Sequence, residues 1–241
     1  MAASLDPHRY LESIIARDFH PASRQRGTGS PEPTPLVITI SRDYGAGGGE
    51  IARRLSDCLG IPVHDQAILE RVAMQAKIAA CHFKPHDENV AAGISSFVYS
   101  LLTGTGGHLE SYRHYLYAVI LDLARQDCIL MGRGAHLILK NHRCFRLRTV
   151  GSRESCARRI ALRFDIPSGE AERRVMEIND KRHKSILKLF GDDLSHASLN
   201  HAANFDLIFN TDHLSTEDWL PVILLALQQA GFNLNRNGTL P

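Results

Sequence analysis

The sequence predicts an α/β protein whose parallel sheet is flanked by helices. Short apolar segments of strand length alternate with longer segments of helical periodicity along most of the 241 residues. The apolar segments are continuous, as expected for strands covered by helices on both faces. The first of them leads into a glycine-rich turn that opens a helix. Because ligands bind at the carboxyl ends of strands in such sheets, the polar residues after each strand are the candidate site.

The composition is that of an ordinary globular chain. Hydrophobic residues make up 44% and charged residues 22%, and the formal net charge is +2, so no overall field favours nucleic acid or a membrane. The sequence has no run of 18 apolar residues and no signal-peptide pattern, and its five cysteines form no CxxC pair. We therefore expect a cytoplasmic protein with reduced thiols, without a nucleic-acid or membrane partner. The oligomeric state stays open.

The chain is predicted to consist of an N-terminal appendage and one main domain. Residues 5–19 place their apolar side chains on one helical face. Residues 20–35 are rich in Pro, Gly and Ser and are typical of a linker. The appendage therefore covers residues 1–35 and the main domain residues 36–235. Within that domain, residues 78–108 are the least regular stretch and are expected to be a variable insertion.

Strands and helices are predicted to alternate through the main domain. The five strand candidates are "LVITI", "IPVHD", "CILMG", "CFRLRTVG" and "FDLIFN", which begin at residues 36, 61, 128, 144 and 205. Helices are expected over residues 48–59, 66–77 and 110–126, onward from residue 152, and over residues 168–190 and 215–230. Gly60 ends the first of these helices, and Ser215 or Thr216 is a candidate cap for the last. This alternation implies a parallel sheet with right-handed crossovers.

The turn "YGAGGGE" after the first strand is predicted to bind phosphate. Gly45 and residues 47–49 allow successive backbone N–H groups to face an anion at a helix N-terminus. A tight turn without a ligand is the alternative, but four glycines cost more backbone entropy than such a turn requires. The ATP-loop pattern lacks its lysine and hydroxyl here. The dinucleotide pattern has Glu50 at its third glycine, although Asp65 follows at the expected distance. The turn therefore indicates phosphate without naming the nucleotide.

Cations follow the other strands. Arg133 lies in "MGRGA" after the third strand candidate, where it can bind a phosphate through two N–H groups. Arg158 and Arg159 follow the fourth strand on a helix, so that one can face inward and the other solvent. Lys181 and Arg182 lie on the long polar helix. Each is individually more typical of a solvated charge, but cations from three segments together indicate phosphate neutralisation.

The order of these motifs resembles that of the cytidylate kinase-like family, relatives of the P-loop nucleoside monophosphate kinases. The segments that carry the likeness are "VITISRDYGAGGGEIARRLSDCLGIPVHD", "CILMGRGAHLIL", "VGSRESCARRI" and "FDLIFNTDHLSTED". The resemblance implies a P-loop NTPase-type sheet with a mobile acceptor and lid region, in which residues 78–108 form the acceptor-side insertion. It also implies ATP and Mg²⁺ as cofactors and nucleotides as small-molecule partners.

The resemblance further implies roles for individual residues. The donor nucleotide would be bound by Tyr44, Gly45, Ala46, Gly47, Gly48, Gly49, Asn210 and Thr211. The acceptor nucleotide would be bound by Asp65, Arg133, Arg159 and Lys181. Arg158 and Arg182 fall where the family's lid supplies cations and are catalytic candidates, and Arg42 is a further catalytic candidate from its position at the start of the loop.

The chain departs from the cytidylate kinases where charge matters. Gly48 stands at the place of the ATP-loop lysine, and Cys156 stands where an arginine is common. Losing one preorganised donor costs on the order of 10²–10³ in rate, so an active kinase needs a replacement cation. We expect Arg42, two residues past the strand candidate, to reach the β- and γ-phosphates. Arg158 and Arg182 are the next candidates.

Three functions are compatible with the sequence. The favoured one is a nucleoside monophosphate kinase that transfers the γ-phosphoryl group of Mg-ATP to an acceptor, with CMP or dCMP expected. A catalytically weak nucleotide-binding regulatory protein is the alternative, since the loop lysine is missing. A dinucleotide-dependent oxidoreductase is supported by the glycines and Asp65, whereas Glu50 argues against it. Mg²⁺ would be held by ATP oxygens and waters, with Ser41 or Asp43 as candidate protein contacts.

Overall fold

The computed structural model describes residues 34–83, 109–191, 196–213 and 216–234. Within these residues, the strands are β1 (Val37–Arg42), β2 (Val63–His64), β3 (Cys128–Met131), β4 (Phe145–Val150) and β5 (Leu207–Asn210). They form one parallel sheet in the order β2-β3-β1-β4-β5. All five predicted strands are present, although β2 is reduced to two residues.

The sheet is built around β1. Residues 36–41 are all buried, and Ile40 lies opposite Met131 of β3 and Leu147 of β4. A run that is apolar on both faces fits the centre of a parallel sheet, where helices cover both sides. The chain adds β3 and β2 on one side of β1 and β4 and β5 on the other. The carboxyl end of β1 is therefore the centre of the edge at which ligands bind.

The helices follow the strands in the expected alternation. They are α1 (Gly48–Leu59), α2 (Gln66–Phe83), α3 (Leu109–Leu123), α4 (Ala135–Ile138), α5 (Arg153–Phe164), α6 (Ser168–Phe190) and α7 (Thr216–Gln229). The bounds of α1 and α6 are those predicted from the sequence. α2 continues to Phe83 rather than ending at residue 77, and α3 ends three residues earlier than expected.

Several predictions concern parts of the chain outside the described residues. They are the N-terminal helix over residues 5–19, most of the linker that follows, and residues 84–108 of the expected insertion. Ser215 and the side chain of Thr216, the candidate caps of α7, are also outside the described part. The division into an appendage and a main domain stays a prediction.

Helix ends are set by residue types with a physical preference for them. α1 begins after Gly47, whose φ is 69°, and ends at Gly60, whose φ is 65°. Both values lie in the left-handed region, which glycine enters without a Cβ penalty. At the start of α5, the hydroxyl of Ser152 accepts the backbone N–H of Ser155 at 3.2 Å. These local choices place the N-termini of α1 and α5 beside the carboxyl edge of the sheet.

The core has a layer on each face of the sheet. α1 and α7 cover one face, with Leu55 and Ile223 fully buried. α2, α3, α4 and the end of α6 cover the other, where Leu116 and Phe190 are fully buried. A smaller apolar cluster joins α5 and α6 to Ala46 of the glycine-rich turn. Among the helices described, none combines the length and apolar character that crossing a bilayer requires.

Candidate functional site

The glycine-rich turn after β1 has the geometry of an anion site. Gly45 and Gly47 have φ values of 87° and 69°, and at Gly45 a Cβ would lie 2.6 Å from the carbonyl oxygen of Cys156. Within the described residues, the backbone N–H groups of Gly45 and residues 47–49 have no hydrogen-bond partner. These N–H groups lie at the N-terminus of α1, where the positive end of the helix dipole also favours an anion. The turn can therefore bind phosphate without a side chain.

Three other elements hold this turn in place. The N–H of Tyr44 donates to Oδ1 of Asn179 on α6 at 2.7 Å. Arg159 of α5 donates from Nη1 to the carbonyl of Gly45 at 3.0 Å. The ring of Trp219, from α7, lies against Gly47, where a Cβ would be 3.0 Å from its Cη2 atom. The turn is thus fixed before any ligand binds, which lowers the entropy cost of binding.

Arg42, the last residue of β1, lies between the glycine-rich turn and the end of the edge strand β2. Its carbon chain packs against Gly48, where a Cβ would lie 2.7 Å from Arg42 Cβ and 2.8 Å from Thr149 Oγ1. Its guanidinium reaches past the end of β3 to Asp65 at the end of β2, with 2.7 Å between Nη2 and Oδ2. Only glycine fits at position 48 while Arg42 holds this position. A lysine at position 48 would therefore collide with the Cβ and Cδ atoms of Arg42 and with the hydroxyl of Thr149.

A cavity of about 350 Å³ opens on the other side of Arg42. Its wall contains Ser41, Arg42, Asp65, Tyr112, Met131, Gly132, Arg133, Gly134, His136, Ile178, Lys181, Arg182, Ser185, Ile186, Leu189 and Leu199. Among the described residues of this wall, Asp65 is the one acidic side chain, and Arg42, Arg133, Lys181 and Arg182 carry a positive charge. The cationic side chains of the wall favour an anion, and the apolar ones, such as Ile186, Leu189 and Leu199, favour an apolar or aromatic group.

A protein-family model matches most of the chain. The cytidylate kinase-like family model matches residues 37–213, a span that includes the turn, the cavity and all five strands. The chain belongs to the cytidylate kinase-like family. The resemblance noted from the motifs is thus confirmed, as are the α/β class and the P-loop-type parallel sheet.

Individual proteins are similar to this chain over most of its length. A cytidylate kinase from Pyrobaculum aerophilum is 25% identical over 190 residues, which are 78% of this chain and 91% of that protein. A crystal structure of an uncharacterized protein from Eubacterium ventriosum has the same fold, with a TM-score of 0.59, 15% identity, and coverage of 80% of this chain and 98% of the other. A shikimate kinase from Bacteroides thetaiotaomicron is also similar, with a TM-score of 0.47, 15% identity and coverage of 80% and 98%.

Five of the predicted site residues meet in the cavity of this cytidylate kinase-like chain. They are Arg42, Asp65, Arg133, Lys181 and Arg182. Arg182 donates from Nη1 to the carbonyl of Arg42 at 2.9 Å, and its guanidinium lies 5.8 Å from the centre of the Tyr44 ring. Burial and the neighbouring Arg42 lower the pKa of Arg182 to about 10, which leaves it charged at neutral pH. Lys181 is more exposed and pairs with Glu177.

Arg133 occupies an unusual backbone conformation. Its φ is 54°, between Gly132 at 71° and Gly134 at 72°. The left-handed region costs a residue with a Cβ about 1–2 kcal/mol. Such strain persists where the surrounding structure imposes it, and it concentrates at binding sites. Because Arg133 lies on the cavity wall, its strained backbone indicates a role in ligand binding.

Four other predicted residues lie away from the cavity. Arg159 faces inward on α5 and donates to the carbonyl and to Oγ1 of Thr211, which joins the glycine-rich turn to the end of β5. Its neighbour Arg158 is exposed. Thr211 is buried and donates from Oγ1 to the carbonyl of Val150 at 3.1 Å. The amide oxygen of Asn210 accepts the N–H of Asp212 at 3.0 Å. Arg159 thus lies on the side of the turn rather than beside the cavity.

The two candidate contacts for Mg²⁺ are already engaged. Ser41 shares a hydrogen bond of 3.1 Å with Nδ1 of His136, and burial lowers the pKa of His136 to about 3. Asp43 accepts from Nη2 of Arg148 at 2.8 Å. No group of three or more His, Cys, Asp or Glu side chains in the described ranges could hold a metal ion.

Sequence reasoning missed several contributors to the site. Tyr112 of α3 lines the cavity while 6% exposed, and Asn179 anchors the turn. Nothing local marks either residue. Arg148 did carry a signal, because a charged residue in the middle of the strand "FRLRTV" requires a partner of opposite charge. That partner is Asp43, and the pair braces the chain between β1 and the turn.

Proposed function

We propose that the protein transfers the γ-phosphoryl group of Mg-ATP to a nucleoside monophosphate, with CMP or dCMP as the acceptor. The observation that carries this proposal is the placement of Arg42 between two anion sites. The glycine-rich turn lies on one side of it and the cation-lined cavity on the other. Membership of the cytidylate kinase-like family and the similarity to a cytidylate kinase support the same reaction.

The donor phosphates are proposed to lie on the turn. Tyr44, Ala46 and the four glycines would surround them, with the free N–H groups of Gly45 and residues 47–49 as donors. Asn210 and Thr211 would border the donor base at the end of β5. Arg159 holds the turn against β5 and would act through the shape of the turn. We propose that the exposed Arg158 moves toward the donor as the lid closes.

Mg²⁺ is proposed to enter the site with ATP. Ser41 and Asp43 are committed to His136 and Arg148, so phosphate oxygens and water fit better as ligands than these side chains. When bound, Mg²⁺ supplies charge neutralisation at the β- and γ-oxygens. The protein's own contribution is then the positioning of donor and acceptor.

The acceptor phosphate is proposed to bind beside the cationic side chains of the cavity wall. Arg133 and Arg182 would hold it, Lys181 would add charge at the rim, and Asp65 would bind the sugar or base. One oxygen of the acceptor phosphate attacks the γ-phosphorus, while the bond from that phosphorus to the ADP oxygen breaks. The attacking oxygen is already an anion at neutral pH, so no strong base is required. Positioning and charge stabilisation account for catalysis of this kind.

Arg42 is the proposed replacement for the loop lysine. Its carbon chain already lies against Gly48, at the place from which the lysine would extend. Rotation about its side-chain bonds would move the guanidinium from Asp65 toward the β- and γ-phosphates. Arg182, whose guanidinium touches the backbone of Arg42, would support the same charge.

The proposal is tested by ADP release from Mg-ATP with CMP, dCMP, UMP, AMP and GMP in turn. Arg133→Ala removes a proposed acceptor contact, and Arg173→Ala, an exposed arginine elsewhere on α6, is the matched control. We expect acceptor-dependent release with CMP or dCMP that falls in Arg133→Ala and not in the control. Release that no acceptor stimulates would overturn the kinase.

A weak nucleotide-binding regulatory protein is the second candidate function. The ion pair between Arg42 and Asp65 favours it, because this pair keeps the replacement cation away from the turn. ATP binding without ADP production would support it. The dinucleotide-dependent oxidoreductase is disfavoured by Glu50, which stands at the third-glycine position and is paired with Arg53 and Arg54.

A further inference from the structure

The cation that the donor phosphates need is held by a carboxylate on the acceptor side. Arg42 Nη2 and Asp65 Oδ2 are 2.7 Å apart, with the two side chains 21% and 48% exposed. Gly48, at the start of the donor site, touches the carbon chain of the same arginine. One side chain thus connects the two proposed nucleotide sites.

The pair is weak enough to exchange. Ion pairs with this much exposure contribute little to stability, because water competes for both partners. In the described part of the cavity wall, Asp65 is also the one acidic side chain, so it partly cancels the charge of Arg42, Arg133 and Arg182. Without an acceptor, Asp65 supplies the negative charge beside these arginines. When an acceptor binds, its phosphate would supply that charge instead. Hydroxyl or amino groups of the acceptor's sugar or base would then be the partners of the Asp65 carboxylate.

We infer that Asp65 is a gate that holds Arg42 on the acceptor side until a nucleoside monophosphate binds, and that acceptor binding releases Arg42 to the donor phosphates. The inference rests on the proposed function and adds regulation to it. Without an acceptor, the donor site lacks its cation. Attack of water on the γ-phosphorus, which would give ADP and inorganic phosphate, is then poorly stabilised.

The gate implies coupling between the two sites. Acceptor binding should tighten ATP binding, and by linkage ATP should tighten acceptor binding by the same factor. The coupling should depend on both members of the pair. An ion pair that only stabilises the fold would change the melting temperature and leave nucleotide affinities independent of each other.

Asp65→Asn is the variant that tests the gate. Asparagine has nearly the same shape and lacks the charge, and it is as favourable as aspartate at the position before a helix. The matched control is Asp57→Asn, which removes an exposed carboxylate paired with Arg53 on α1. Arg42→Ala/Asp65→Asn is the double variant. Trp219, the single tryptophan of the chain, lies against Gly47 and reports binding at the turn by its fluorescence.

The measurement is the affinity for a non-hydrolysable ATP analogue with Mg²⁺, with and without CMP. We expect CMP to tighten analogue binding to the wild-type protein. Asp65→Asn should bind the analogue roughly two- to fivefold more tightly without CMP, as expected from the strength of an exposed ion pair. The same variant should lose most of the CMP effect and hydrolyse ATP faster without an acceptor. The double variant should lose this gain in affinity for the analogue, and Asp57→Asn should bind the analogue like the wild type.

The outcomes separate the gate from the kinase. An active kinase whose Asp65→Asn variant binds the analogue like the wild type overturns the gate and leaves the proposed function intact. A gain that persists in the double variant also overturns it, because Arg42 is then not the group released. A gain that requires Arg42, in a protein with no acceptor-dependent ADP release, supports Asp65 as a latch on ATP binding and overturns the kinase.

Discussion

Two neighbouring glycines in the first turn of α1 provide a sharp test of how Arg42 is placed. At Gly48 a Cβ would lie 2.7 Å from Arg42 Cβ and 2.8 Å from Thr149 Oγ1, whereas at Gly49 it would meet nothing within 4 Å. Arg42 and Thr149 belong to adjacent hydrogen-bonded strands, and Thr149 is fully buried. Neither neighbour of Gly48 can move without disturbing the centre of the sheet.

The expected magnitudes follow from these contacts. Both substitutions to alanine reduce the entropy of the unfolded chain and improve helix propensity, a gain of about 0.5–1 kcal/mol. Gly49→Ala should retain this gain. Gly48→Ala should lose it to overpacking, which costs about 1–3 kcal/mol. The difference between the variants is the added cost at Gly48, which corresponds to about 2–12 °C in melting temperature for a domain of this size.

Thermal unfolding followed by circular dichroism measures the difference, and Trp219 fluorescence measures ATP binding to the same samples. We expect Gly49→Ala to melt above Gly48→Ala and to bind ATP like the wild type. Gly48→Ala should bind ATP more weakly, because Arg42 is displaced. Equal melting temperatures would refute the packing argument. Equal ATP affinity in both variants would refute the link between Arg42 and the turn.

Two further predictions concern residues of the cavity wall. Burial lowers the pKa of His136 to about 3. Below pH ~6.5 the unfolded chain therefore binds a proton at this histidine, and the folded chain does not. The free energy of unfolding should fall as pH decreases toward 3, by up to about 1.4 kcal/mol per pH unit. Urea unfolding at pH 7 and pH 5 measures this loss of stability. The loss should be smaller for His136→Asn than for the wild type or for His213→Asn, which changes an exposed histidine and serves as the control. Equal losses in all three proteins would contradict the prediction. Arg133→Gly should relieve the left-handed strain and match or exceed wild-type stability by about 1 kcal/mol, while the KM for the acceptor rises about tenfold or more. An unchanged KM would remove Arg133 from the acceptor site.

The parts of the fold that depend on local pattern could be predicted from the sequence. β1 and α1 were predicted because an apolar run, a glycine-rich turn and apolar residues at a spacing of four each indicate one structure. α2 was predicted six residues too short, and the helix continues to Phe83 because residues 78–83 contain no Gly or Pro that would end it. The site was predicted as a set of strand ends, since parallel strands bring their carboxyl ends to one edge.

The pairings within the site depend on sheet order, which the sequence does not contain. Arg42 reaches Asp65 across the end of β3, which lies between β1 and β2 in the sheet, so this pair could be found only once the strand order was known. Arg159 was expected beside the acceptor, but the rotation of α5 about its axis directs its guanidinium to Gly45 and Thr211. Neighbouring positions on a helix face different directions, and packing decides which of them faces inward.

The most direct test of the central claim is transfer of a radiolabelled γ-phosphate from Mg-ATP to CMP by the wild type, Arg42→Lys and Arg42→Ala. If Arg42 replaces the loop lysine, labelled CDP should form with the wild type and fall on the order of 10²-fold or more with Arg42→Ala. Arg42→Lys should retain much more activity, because it keeps a cation on the same stem. Formation of labelled CDP by Arg42→Ala at the wild-type rate would contradict the account.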